Sequence, residues 1–336
     1  MTAGMQRRAS EQAPAPVVTV TLNPAIDQTV IIDRLTPGAV HRARRVERNA
    51  GGKGVNVASC LADWGLAATV TGVLGQDNTA SFDALFAAGG IADRFIRVPG
   101  ATRVNIKLAD LDSADTTDIN LPGLDVDTAA IGRLMAVLDD VAGAGAIVVL
   151  AGSLPAGVDT DLYRVLTGYL RGRGVRVVLD TSGPPLAAAL DAPPEAMPDC
   201  VKPNRAELAD WAGRPLDDGA AVVEAARALV RRGIGLVVVS LGADGALFVT
   251  VDDVIHAALP PERVLSTVGA GDAMVAGIVA AMAEGVAIED LARRGVAFAT
   301  AKLALVGPHL PPAPRVAALA AQVMLDHPLS PAGLRA

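Results

Sequence analysis

The chain has 336 residues, 51% hydrophobic and 19% charged, with a formal net charge of −7. An acidic chain of this balance is a poor general partner for nucleic acid, and its longest apolar stretch, residues 273–283, is about half of the roughly 20 residues that a membrane span needs. Two cysteines, Cys60 and Cys200, stand far apart and in no metal-ligand spacing, so two free thiols in a reducing compartment are expected.

Residues 1–15 are polar and rich in Ala and Pro, and they read as a tail without the apolar stretch of an export signal. A cytoplasmic location is the expectation. Residues 327–336 read as a second tail. Between them, residues 16–326, short β-branched runs alternate with helical periods. The runs 17–22, 68–73, 146–150, 175–179 and 236–239 predict strands. Residues 127–141 and 219–232 carry apolar positions at three- and four-residue steps and predict helices. With aromatics at only 3%, Val, Ala and Leu must build the core. Continuous apolar strands alternating with helices predict a three-layer α/β domain with a parallel sheet. Residues 28–50 and 103–121 break the rhythm, because they alternate polar and apolar without intervening helices. They predict a small accessory sheet with one wet face.

Candidate site residues fall along the chain in order. Asp27 follows the first strand, where open α/β sheets bind ligands. The run from Asn49 to Ala58 contains Gly51-Gly52-Lys53-Gly54-Val55-Asn56. It lacks the Ser or Thr that a nucleotide P-loop places after Gly-Lys, and it lacks the dinucleotide glycine spacing. Close backbone approach at Gly51 and Gly52, an amide at Asn56 and a charge at Lys53 suit a sugar better; a plain loop-to-helix junction is the alternative. Arg103 opens an accessory strand and has the fork geometry that matches phosphate. Ser153 follows a buried strand. Asn204 and Glu207, three apart after Lys202 and Pro203, could hold magnesium or form a capping box. Ser240, Gly242 and Gly245 mark a strand, a glycine turn and a strand, either a hairpin or a nucleotide flank. Gly269-Ala270-Gly271-Asp272 leads into a small-residue helix, where backbone amides and the helix N-terminus make an anion site. An aspartate there suggests a base that takes a proton from an attacking hydroxyl; the plainer alternative is a Gly-rich turn with an acidic first helical turn.

Taken together and in this order, residues 21–27, 51–56, 152–155, 202–207 and 269–272 resemble the PfkB branch of the ribokinase-like carbohydrate kinases over roughly residues 16–325. The resemblance implies a ribokinase-like (Rossmann-like) core with a small β-sheet lid often used for homodimerisation, with ATP, Mg2+ and a sugar phosphate as ligands. It implies Asp272 as base and the amides of Gly269, Ala270 and Gly271 as anion hole. Asp27, Gly52, Asn56 and Ser153 would face the sugar, and Lys53 with Arg103 its existing phosphate. Lys202, Asn204, Ser240, Gly242 and Gly245 would flank ATP, and Glu207 would organise the metal. Residues 102–107, 117–120, 211–214 and 266–269 look like the bacterial subgroup that phosphorylates fructose 1-phosphate at O6. Tagatose 6-phosphate, fructose 6-phosphate and a non-catalytic sugar-phosphate binder stay open as alternatives. Two departures from the common family pattern are Ala273 after the aspartate and Ala151 before Gly152, each where Ser is common.

Overall fold

The computed structural model describes residues 13–113 and 115–327. Of the expected tails, residues 1–12 and 328–336 lie outside that range; Ala15, at the inner end of the first, donates its N–H to Ala283 O at 3.0 Å. The chain opens with β1 (Val17–Thr21), β2 (Ala25–Ile32), β3 (Arg45–Gly51), α1 (Lys53–Trp64), β4 (Ala68–Gly75) and α2 (Ala80–Gly89). Next come β5 (Ala92–Asp93), β6 (Ile96–Val98), β7 (Val104–Asp110), β8 (Thr116–Ile119), α3 (Thr128–Val141) and β9 (Ile147–Ala151). They are followed by α4 (Leu162–Arg171), β10 (Arg176–Asp180), α5 (Gly183–Leu190), β11 (Cys200–Val201), α6 (Arg205–Ala212) and α7 (Gly219–Arg231). The last elements are β12 (Leu236–Ser240), β13 (Ala246–Val249), β14 (Val254–Ala258), α8 (Ala270–Glu284), α9 (Ile288–Lys302), α10 (Ala313–Ala320) and β15 (Met324–Asp326).

Eleven strands form the main sheet, in the order β15-β14-β13-β12-β11-β10-β9-β1-β4-β5, with β6 also on β4. The pairs from β4 through β1, β9, β10 and β11 to β12 are parallel, and β13 to β15 continue antiparallel. The central strands β1 and β9 are wholly buried, VVTVT and IVVLA, as β-branched and apolar runs covered on both faces should be. One apolar cluster on the sheet contains residues of α1, α2, α8 and α9, and a second contains residues of α3, α4, α5 and α7. This is the three-layer arrangement expected. Local signals set several helix starts: Asp127 and Asp218 each accept an amide in the first turn at 2.7 Å.

The second sheet has the order β3-β2-β7-β8, with β2 and β7 parallel and the outer pairs antiparallel. Asp27 therefore sits within a strand of this sheet, not in a turn after β1. The turn after β7 is built by Asp110, whose carboxylate accepts the amides of Leu35, Asp112 and Ser113. The basic stretch from His41 to Arg48 is largely solvated, with Arg44 paired to Asp33 and Arg45 to Glu47.

The junction of the sheets depends on glycine. Gly72 pairs with Thr21 at the end of β1, its φ is 131°, and a Cβ there would stand 1.9 Å from Thr21 O. Gly72→Ala should cost about 4 kcal/mol, because neither the backbone oxygen nor the positive φ can be relieved locally. Urea unfolding measures it, and a midpoint within error of the parent would contradict the packing described.

Candidate active site

Helix α8 begins where Gly269, at φ 80°, turns the chain into its cap position. Ala273 N–H donates to Gly269 O at 2.9 Å and closes the first turn, while Ala270 N–H is used on Thr267 O at 3.3 Å. Among the described residues the amides of Gly269, Gly271 and Asp272 find no acceptor. Of the three amides expected at this turn, those of Gly269 and Gly271 are unpartnered, that of Ala270 is used on Thr267, and Asp272 adds a further unpartnered donor. They point from a helix N-terminus and carry its partial positive charge, which makes an anion site.

Asp272 itself is buried, 8% exposed. Its Oδ2 accepts a hydrogen bond from Asn56 Nδ2 at 2.7 Å, which leaves Oδ1 free to accept a proton. Burial pushes its carboxyl above the usual aspartate range, and the nearby Asp180 charge pushes the same way; Lys53, Asn56 and Lys202 offset part of the rise. Asn56 is therefore the residue that orients the carboxylate, an arrangement the sequence did not reveal.

The chain contains only four lysines among its 29 basic Lys and Arg residues. The fold brings all four to this site. Lys53 Nζ lies 3.1 Å from Asp180 Oδ2, and Lys202 Nζ lies 3.4 Å from Asp180 Oδ1. A Cβ on Gly271 would meet Lys202 Nζ at 3.5 Å, so this ammonium stands at the α8 amides. Burial pulls Lys53 down, but Asp180, Asp272 and Glu207 outweigh it and hold the ammonium above its ordinary value. Lys107 and Lys302 line a cavity of about 270 Å³ between the inner face of the small sheet and the start of α8, together with Asp27, Asn49, Asn56 and Gly269.

On the cavity side, burial raises the Asp27 carboxyl, opposed by Lys107 at 4.0 Å and by Asn105, which donates to Oδ1 at 3.4 Å. Gly52 caps α1 with φ 119°, and a Cβ on Gly51 would meet Asp27 Oδ2 at 3.0 Å. Backbone can approach here only because both positions are glycine. Ser153 is exposed, and its Oγ accepts from Asn23 Nδ2 at 3.1 Å. A Cβ on neighbouring Gly152 would face Lys53 Cβ at 3.9 Å. The Arg103 guanidinium donates to the carbonyls of Asn23, Pro24 and Leu121 at 3.1–3.4 Å. It ties the small sheet to the β1–β2 turn.

On the other side, Asn204 and Glu207 form the capping box, Oδ1 accepting at 2.8 Å and Oε2 at 2.9 Å, which leaves one Glu207 oxygen free. Asn204 bridges to Ser240, whose N–H donates to Pro203 O at 3.1 Å. Gly242 (φ 65°) and Gly245 (φ 85°) shape the turn that follows, and a Cβ on Gly245 would strike Ala257 O at 2.2 Å. Lys202, Asn204 and Ser240 are thus joined in one rim beside Gly271.

Asp180, Lys107 and Lys302 escaped the sequence reading. Asp180 ends an apolar strand at the carboxyl edge of a parallel sheet, the place where such sheets bind ligands, and that position was a usable signal. The rarity of lysine in an arginine-rich chain was another.

Residues 20–314 match the family described as pfkB family carbohydrate kinase. A "1-phosphofructokinase" of Xanthomonas campestris is 53% identical over 287 residues, 85% of this chain and 90% of that protein. One from Rhodobacter capsulatus is 46% identical over 308 residues, 91% and 96% of the two chains. The crystal structure of phosphofructokinase-2 from Escherichia coli with substrates and products superposes with a TM-score of 0.85 at 31% identity, covering 91% of this chain and 99% of that one.

Proposed function

This chain belongs to the pfkB family of carbohydrate kinases, and we propose that it transfers the terminal phosphoryl group of ATP to O6 of fructose 1-phosphate, giving fructose 1,6-bisphosphate and ADP. The observation that carries the chemistry is the buried Asp272 carboxylate, fixed by Asn56 at the first turn of α8 beside unpartnered amides. The relatives named for that reaction support the choice of sugar phosphate.

In this reading Asp272 Oδ1 accepts the O6 proton as the O6–phosphorus bond forms and the bond to ADP breaks. The amides of Gly269, Gly271 and Asp272 stabilise charge on the transferring group. Asp27, Gly52, Asn56 and Ser153 hold the sugar. Lys53 and Lys107 face its existing phosphate, and Arg103 supports that wall through the backbone it clamps. Lys202, Asn204, Ser240, Gly242 and Gly245 flank ATP. Among the described residues no group of three or more His, Cys, Asp or Glu could hold a metal alone. That donor set suits a Mg2+ ion that keeps phosphate oxygens and water as most of its ligands, with the free oxygen of Glu207 toward it. The ion would neutralise phosphate charge. Residues 16–326 form the kinase unit and the four-stranded sheet is its lid, excluding water. Val46, Ile119 and Leu121, exposed on and beside that sheet, support homodimerisation through it. Among the described residues no helix is long and apolar enough to cross a membrane, which is compatible with a cytoplasmic enzyme.

A panel of fructose 1-phosphate, fructose 6-phosphate, tagatose 6-phosphate and fructose, with coupled ADP detection, tests the substrate. Fructose 1-phosphate should lead in kcat/KM by at least about 10-fold, since misplacing a phosphate leaves buried charge unpaired. Preference for a 6-phosphate would overturn that choice. The raised Asp272 carboxyl also sets a pH dependence. As pH falls through its folded value the base takes a proton and turnover is lost, so the acid limb of kcat should lie above the ordinary 3.8. A profile flat down to that pH would contradict the assignment.

A further inference from the structure

Lys302 is the one lysine with no role in the reaction as described, and it is the most deeply buried of the four, 2% exposed. It ends α9 and its Nζ donates to Leu305 O at 2.9 Å. Lys53, Lys107 and Lys202 each lie within ion-pair reach of a carboxylate; Lys302 forms no ion pair among the described residues. A buried ammonium held by a carbonyl alone is costly unless another negative charge comes near.

Its surroundings show where that charge would be. A Cβ on Gly269, the cap of α8, would meet Lys302 Cε at 3.3 Å. Lys302, Gly269 and Asn56 line the same cavity. The neighbouring Leu303 carbonyl accepts the amides of Leu265 and Ser266 at 2.7 and 3.2 Å, so the end of α9 also holds the strand of chain that leads to the anion-binding turn. Burial lowers the Lys302 ammonium, and Cys60 and Asp272 are the groups that act against the fall.

We propose that Lys302 is a positioning residue of the phosphoryl-transfer site: its ammonium, seated beneath the Gly269 cap, is a resident cation that offsets the negative charge gathering at the N-terminus of α8. The reaction then draws on a fixed charge in a dry location, where it acts strongly and needs no reorganisation. This inference rests on the kinase reading above, and a parallel assay of the parent protein separates the two: a parent without kinase activity sinks that reading, whereas an active parent leaves Lys302 on trial.

The test uses Lys302→Met, which keeps length and apolar packing while removing charge, and Lys302→Gln, which keeps an N–H donor for Leu305 O. Both should fold, with Lys302→Met at least as heat-stable as the parent, because an unpaired buried charge has been removed. Both should lose about 10- to 100-fold in kcat, with KM for the sugar phosphate changed less than about twofold, as for loss of one preorganised electrostatic group. Calorimetric binding of ADP with aluminium fluoride should weaken at least about 10-fold while ADP alone is unaffected. Ammonium or methylammonium chloride, but not tetramethylammonium, should restore part of the rate. The proposal is overturned if either variant keeps kcat within about twofold of the parent. It is equally overturned if activity falls only in step with thermal stability, or if aluminium fluoride binding is unchanged.

Discussion

Asp272→Asn should fold, bind ATP and turn over at least about 1000-fold more slowly than the parent, the loss expected when a positioned base is removed from a preorganised site. The same substitution should leave the protein no less stable at neutral pH. Burial raises the Asp272 carboxyl above 3.8, with Asp180 adding to the rise. A group whose folded value lies above its unfolded one favours folding while protonated. That benefit is complete below the unfolded value and disappears as pH rises through the folded one. At neutral pH the ionised carboxylate is therefore a burden on the fold, and an asparagine of equal size relieves it. Stability and activity should move in opposite directions, as expected where a site keeps an unfavourable charge for chemistry. Urea unfolding and nucleotide titration, read beside kcat, check the pair of effects. An Asn variant that unfolds earlier and loses activity in proportion would mean that Asp272 is structural.

The largest loss of stability is expected at Asp180. Its carboxylate, 2% exposed, takes Lys202 at 3.4 Å on one oxygen and Lys53 at 3.1 Å on the other. Asp180→Ala leaves Lys202, whose side chain is only 7% exposed, without a counter-charge. Breaking one side of a buried pair costs about 3–5 kcal/mol, and most of that cost should come from Lys202. Lys53 is 37% exposed and is partly relieved by water, so it adds little. Activity should change in a second, diagnostic way. Asp180 helps to hold the Asp272 carboxyl high, so its removal lets that value fall and moves the acid limb of kcat to lower pH. Urea unfolding and a pH–rate profile on the residual activity measure the two. An unchanged unfolding midpoint with an unshifted acid limb would remove Asp180 from the account.

The architecture was legible because strand and helix periods differ and the main strands are rich in β-branched and apolar residues. The runs at 17–22, 146–150 and 175–179 could be nothing but buried strands once glycine and polar turns closed them. The small sheet was legible from its polar alternation. The glycine-rich turn was legible because Gly269 and Gly271 precede an acidic residue, Asp272, at the head of an apolar helix. What the sequence concealed is contact between distant segments. Asn56 reads as a sugar ligand, yet its Nδ2 reaches Asp272, 216 positions away. Arg103 reads as a phosphate ligand because guanidinium suits phosphate, and its contacts with three backbone carbonyls are a tie that no local pattern shows. Asp180 reads as the polar end of a strand, and only the fold shows two lysines converging on it. Such pairings depend on loop paths and strand order, which no local pattern records.

Phosphorus NMR of a reaction containing the parent protein, ATP and fructose 1-phosphate tests the central assignment most directly, with Asp272→Asn alongside. The parent should yield ADP and fructose 1,6-bisphosphate in equal amounts, with the new phosphoryl on O6, and the variant almost none. Bisphosphate formed as fast by the variant, or ATP consumed to inorganic phosphate with the sugar unchanged, would contradict it.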